Sequence, residues 1–266
     1  MFTFDVIGTS LLFTAFFIEF ILIMLHRPDK KLVNDMMANF LLGLFIVLAG
    51  LVEKGLAFSI FYMVYRFAIF TPHLSWWLWI AGFLCCDFIH YFYHWLGHKT
   101  RLFWAAHVTH HSSEHFNLST ALRTNFIHVL YRFLFWSPLC FFGFPPEMIL
   151  LIESITASQN FIVHTEKIGK LGILDWLFNT PSNHRVHHGS NPEYIDKNLG
   201  GILMIYDHLL GTYAKETTKP VYGITHNINT SNPFKILLHE YITIGSEFPK
   251  IKGLKAKFHY LFSRPQ

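Results

Sequence analysis

Long apolar stretches constrain this chain more than any other feature. Residues 4–25, 36–52, 74–94, 126–144 and 146–163 are dominated by Leu, Ile, Val, Phe and Ala. About 20 such residues span the ~30 Å hydrocarbon core of a bilayer as a helix. Backbone placed in lipid must satisfy its own hydrogen bonds, and for segments of this length the helix does so. The expected fold is therefore an all-α integral membrane protein with about four to five transmembrane helices. Charged residues make up 14% of the chain, and hydrophobic residues 52%, including 29 Phe. An ordinary soluble domain is about a quarter charged. This balance excludes a disordered chain, a coiled coil and a nucleic-acid-binding tail. A net charge of +4 suits a neighbourhood of anionic headgroups.

The spans organise the rest. Asp5 and Glu19 interrupt the first, and no small-residue cleavage site follows it, so it reads as a retained span. The basic run His26 to Lys31 places the next loop in the cytoplasm by the positive-inside rule. Residues 55–70 carry Arg66 among Tyr and Phe and read as interfacial or re-entrant. Trp76, Trp77 and Trp79 open the third span at a membrane surface. Gly143 and the pair Pro145–Pro146 break the fourth from the fifth and make a hairpin. Residues 95–125 and 165–233 gather most of the remaining polar residues and read as a helical, histidine-rich cytoplasmic cap. Residues 234–244 fit one amphipathic helix lying on the membrane, beside a basic tail. The chain reads as one domain over 1–266.

Histidine is the second constraint. There are 18, far more than so apolar a chain needs, and burying an imidazole costs free energy unless something satisfies it. Three clusters stand out: His94 and His98; His107, His110 and His111; and His184, His187 and His188. Residues at i, i+3 and i+4 share a helix face, so each cluster can present its imidazoles together. His164 stands alone at the end of the fifth span. Nine such histidines exceed what one ion needs and suit two. Imidazole accepts Zn, Cu, Fe or Ni, so ligand type alone leaves the metal open. His26, His73, His115, His128, His208, His226, His239 and His259 read as ordinary structural histidines. His90, one turn before His94, reads as structural or supporting. Cys85, Cys86 and Cys140 lie in apolar runs and read as inert buried thiols.

Longer strings carry a resemblance: His107 to Glu114, Asn117 to Arg123, His164-Thr-Glu166, Asn179 to Gly189, Ile195 to Asn198 and Gly211-Thr-Tyr213. Over roughly Asp87 to Tyr213 the chain resembles the fatty acid hydroxylase and sterol desaturase superfamily, most of all its alkylglycerol monooxygenase branch. The resemblance implies a membrane scaffold of four helices under a helical cap, with two irons between them. The implied ligands are His94, His98, His107, His110, His111, His184, His187 and His188, with His164 at the position of an isolated family histidine. His90 falls outside that set. Lys99 and Asn183 stand where the animal ether-lipid enzymes usually carry Glu and His.

The implied chemistry is oxygen-dependent hydroxylation of a lipid's alkyl or acyl chain. Dioxygen is the co-substrate, and electrons come from an electron-donor protein or a diffusible reductant, since no NAD or flavin fingerprint is visible. The lipid is drawn from the bilayer, and no nucleic acid is expected. Asp87, Glu114, Asn117, Asp196 and Asn198 are candidates to fix the imidazoles from behind. Three other readings stand beside this one. A desaturase would use the same metals. A membrane zinc hydrolase would need a Glu beside its histidines, and neither three-histidine cluster holds one. A metal transporter would place its ligands along a path through the membrane.

Overall fold

The computed structural model describes the backbone of residues 2–265 and the side chains of residues 12–265; Asp5 and the rest of the first eleven side chains lie outside the described residues. Among the described residues the chain is helical, with two isolated β-bridges and no strand. Twelve α-helices follow in order. They are α1 (Phe2–Leu25), α2 (Lys30–Tyr65), α3 (Trp76–Lys99), α4 (Arg101–His111), α5 (Phe126–Arg132) and α6 (Ser137–Phe141). After these come α7 (Pro146–Ile162), α8 (Ile173–Leu177), α9 (Pro181–His187), α10 (Ile205–Leu210), α11 (Pro233–Glu247) and α12 (Leu254–Phe262).

Among the described helices, α2 is long and apolar enough to cross a membrane, while Leu12–Leu25 and Phe126–Phe141 are shorter apolar segments. Asp29 caps α2, accepting from the Leu32 N–H at 2.8 Å. The helix then runs 36 residues without a break. The separate interfacial segment expected over 55–70 is thereby corrected. Gly50 and Gly55 are mild breakers only, and no proline intervenes. The expected span over 126–144 is also not one rod. Its apolar residues divide into α5, a 3₁₀ turn at Phe133–Phe135, and α6, which Pro138 opens. The chain turns between α6 and α7 at the expected place. Gly143 turns it at φ +94°, where an added Cβ would lie 2.3 Å from the Phe70 carbonyl.

The main core lies among α2, α3, α6 and α7, around Phe61, Cys86, Trp136, Cys140 and Ile149. Gly82 lets α3 close on α7, since a Cβ there would meet Met148 Sδ at 2.8 Å. A smaller core joins Ile236 and Leu237 of α11 to Ala38 and Leu42 of α2. Two buried polar anchors tie α1 and α2 to residues further along the chain. Glu19 on α1 accepts from the Leu118 N–H at 2.6 Å and from the Thr165 hydroxyl, which explains a carboxylate in the first apolar run. Arg123, 1% exposed, pairs with Asp35 of α2 at 3.0 Å and donates to Asn39, Thr109 and Ser112.

Candidate metal centre

Three junctions bring the histidines together. His94 and His98 occupy the last turns of α3. Thr100 ends that helix and begins α4, folding His107 back until its Nε2 lies 2.9 Å from His94 Nε2. His164 follows α7. Thr180 caps α9, with Pro181 at its first position, so His184, His187 and His188 leave one short helix. Arg185 locks α9 in place through Glu216 at 2.8 Å and the carbonyls of Thr165 and Ile168.

The nine rings form two groups, in each of which the candidate ligand atoms lie within 4.8 Å of one another. His94, His98, His107, His111 and His187 make one, and His110, His164, His184 and His188 the other. The groups do not follow the sequence clusters. The i, i+4 partners stay together, while His110 and His187 each cross to the opposite group. In a helix the i+3 residue points about 100° away from the i+4 residue, so the two project from opposite edges of one face and can serve two centres.

Hydrogen bonds settle which nitrogens are free. His94 Nδ1 faces the Leu199 carbonyl at 2.9 Å, His110 Nδ1 that of Arg123 at 3.2 Å, His164 Nδ1 that of Asn160 at 2.6 Å, and His187 Nδ1 that of Lys197 at 3.1 Å. A carbonyl only accepts, so these rings carry their proton on Nδ1 and leave Nε2 bare. His110 Nε2 and His164 Nε2 are 3.1 Å apart. Two bare lone pairs at that distance repel unless a cation lies between them. Protons are poor candidates: burial pushes His110 down to about 4 and drives His107, His111, His184, His187 and His188 well below the usual imidazole range. Nε2 of His98, His187 and His188 is buried with no partner. Buried polar atoms are normally paired. Neutral, convergent and unsatisfied imidazoles fit metal ions, and each group can hold one.

Of the five supporting residues expected, Asp196 alone touches a ring, with Oδ1 3.4 Å from His98 Nδ1 and Oδ2 taking a bond from Lys99 at 2.6 Å. Asp87 instead accepts from the Ile202 and Leu203 N–H groups and pins the loop that presents Leu199. Asn198 holds the Asn183 and Ala214 carbonyls, Asn117 caps a 3₁₀ turn, and Glu114 is exposed. Asp196 and Asn198 adopt left-handed backbone (φ +58° and +54°), which Asp and Asn tolerate better than most residues. Asn183 donates to the Asp175 and Phe178 carbonyls and lies in neither group. His90 also lies in neither, and contacts Asn160 at 3.4 Å. Asp207 was not foreseen: it accepts from the Leu199 and Gly200 N–H groups at 2.7 Å each and so fixes the acceptor of His94.

Two cavities open onto the rings. One, of about 210 Å³, lies between α3, α5 and α7 and reaches His94, His107, His110, His164 and His184. The other, of about 350 Å³, lies between α4, α9 and α11 and reaches His98, His111, His187 and His188 beside Trp104 and His239.

A helical fold carrying a buried, two-part polyhistidine centre defines the class. The chain belongs to the fatty acid hydroxylase family, whose pattern matches residues 79–212. It is 38% identical to human alkylglycerol monooxygenase over 261 residues, which covers 95% of this chain and 58% of the human protein. It is 36% identical to the alkylglycerol monooxygenase of Xenopus tropicalis, covering 97% of this chain and 58% of that protein. An ornithine lipid hydroxylase from Rhizobium tropici is 32% identical over 135 residues, covering 50% of this chain and 41% of that protein. The chain thus spans under two thirds of these curated relatives. No solved structure matches it.

Proposed function

We propose that the protein is a membrane-bound lipid monooxygenase that hydroxylates the alkyl or acyl chain of a bilayer lipid. Two irons are held by His94, His98, His107, His111 and His187 and by His110, His164, His184 and His188. The observation that carries this reading is the convergence of nine neutral imidazoles into two adjoining groups beside a cavity between apolar helices. Family membership and the names of the relatives support it.

Two bound irons supply the reduction of dioxygen and the attack on an unactivated C–H bond. The chain's own residues do the rest. Main-chain carbonyls hold the ring tautomers and orientations. Tyr93, Ala106, Ala121 and Phe161 wall the cavity against water and leave room for a hydrocarbon chain. Electrons come from a donor protein or a diffusible reductant.

The same reading places α1, α2, α3 and the hairpin of α5 to α7 in the bilayer, with the histidines on its cytoplasmic side. Bare apolar side chains support it: Phe13 and Phe17 on α1, Leu44 and Leu48 on α2, and Trp76 and Trp77 on α3 are all more than half exposed. Surfaces so apolar need lipid or protein to cover them.

Anaerobically purified protein is expected to hold two irons per chain. Turnover under heavy-isotope oxygen gas should yield a lipid that gains one labelled oxygen. Hydroxylation beside an ether oxygen would instead release an aldehyde. A single metal in active enzyme would refute the two-iron reading. A product two hydrogens lighter, with no oxygen gained and no aldehyde, would establish desaturation.

A further inference from the structure

A third cavity, of about 440 Å³, lies deeper, with no histidine in its lining, between α2, α5 and α7 and is walled mainly by Ala57, Phe61, Phe133, Trp136, Leu150 and Ile155, with the exposed Lys54 also lining it. Arg132 and Ala157 line both this cavity and the one against the histidines. Arg132, at the end of α5, therefore stands at the join. Its Nε donates to Glu53 Oε1 at 2.7 Å and its Nη2 to Glu53 Oε2 at 3.4 Å. Nη1 has no partner among the described residues, and the side chain is 31% exposed although apolar helices surround it. Across the deeper cavity, Glu153 Oε1 is buried and also without a partner.

Ionisable groups between apolar helices are costly, and those that persist there mark ligand paths. Here one donor and one acceptor are left open at the same place. A phosphate would accept from Nη1 but would meet the Glu53 carboxylate that already pairs with Arg132. An uncharged group that both donates and accepts, a hydroxyl or an amide, satisfies both.

We propose that the two cavities are one lipid channel and that Arg132, with Glu153, is its specificity-determining station. The substrate's chain runs from the deeper cavity past the join into the histidine cavity, its hydroxyl or amide function is held at the join by Arg132 Nη1 and Glu153 Oε1, and the chain carbon beyond it is thereby set against the histidines. This rests on the lipid-hydroxylase reading and assigns the residues that choose the lipid.

The test measures binding. The full chain, loaded with iron in nanodiscs, is titrated with a long-chain monoacylglycerol and with the matching plain alkane, each competing against a fluorescent fatty chain. Arg132→Met and Glu153→Leu should weaken the hydroxylated probe about tenfold or more, the worth of a hydrogen bond to a charged group. Both variants should leave the alkane within about twofold and keep the parent's iron content. Glu153→Gln, which retains an acceptor oxygen, should recover most of the affinity. Iron-loaded Arg132→Met that binds both probes like the parent would overturn the proposal. If that variant fails to fold, the exchange Glu53→Arg/Arg132→Glu decides. Recovery of folding together with hydroxylated-probe binding would make the pair purely structural and overturn the proposal, whereas recovery of folding alone supports it. Discrimination between the probes is independent of product chemistry, so a parent that bound them as expected but turned over no lipid would refute the hydroxylase reading and leave this one standing.

Discussion

The two histidine groups are built from the same helices in opposite proportion. α4 gives two rings to the five-membered group and one to the four-membered group, while the α9 segment gives one and two. What differs is the outside contribution. The larger group receives the α3 pair, His94 and His98, and has a carboxylate, Asp196, against one ring. The smaller receives His164 alone, and its Nδ1 anchors are the carbonyls of Arg123 and Asn160. The larger group thus has a ligand to spare and a nearby negative charge, and the smaller has neither. Two metals bound here would not be equally secure.

The sharpest way to break this comparison is to remove one ring from each side. His184→Ala leaves three imidazoles and should abolish turnover with loss of one metal per chain. His98→Ala leaves four and should retain both metals when iron is in excess. Elemental analysis of the two variants decides, and equal metal loss would show that ring number does not set retention. Arg123→Met comes next. It strands Asp35 and frees the carbonyl loop behind His110, and breaking such a buried pair costs about 3–5 kcal/mol. Thermal unfolding in detergent should show the loss, with the smaller group emptied first. Asp196→Asn acts only on the larger group. Weakening a partner behind a ligand typically costs about 10–100-fold in metal affinity, and chelator competition should show one of the two metals leaving earlier. The smallest effect is expected of His239→Ala. That ring borders the cavity between α4, α9 and α11 but belongs to neither group, so iron content and turnover should stay within about twofold.

Much of this was legible in the sequence. The 3.6-residue helix repeat relates His94 to His98, His107 to His111 and His184 to His188, and apolar run length together with Gly143 and Pro146 located α3, α7 and the turn before α7. The division of each cluster between two centres was not legible, because it depends on how α4 and α9 tilt against each other. The ring acceptors were also invisible. Leu199, Lys197, Asn160 and Arg123 act through main-chain oxygens, which every residue type has. Polar residues that looked like direct supports, Asp87 and Asn198, act instead on the backbone that carries those oxygens. The continuity of α2 past Gly55 was hidden by charge inside the apolar run, Arg66 at its end and Glu53 within it, the latter paired with Arg132 from elsewhere in the chain.

The use of carbonyls behind the histidines has an evolutionary consequence. A side-chain acceptor can be lost by one substitution, whereas a carbonyl survives any. Selection on ring orientation therefore cannot act on the identity of Lys197, which supplies its oxygen whatever side chain it bears. It acts on the residues that set the backbone path, Asp87 and Asp207 above all, since each secures two consecutive N–H groups of the loop from Leu199 to Leu203. Variation among descendants of this chain should thus be free at the atoms nearest the rings and restricted one step behind them.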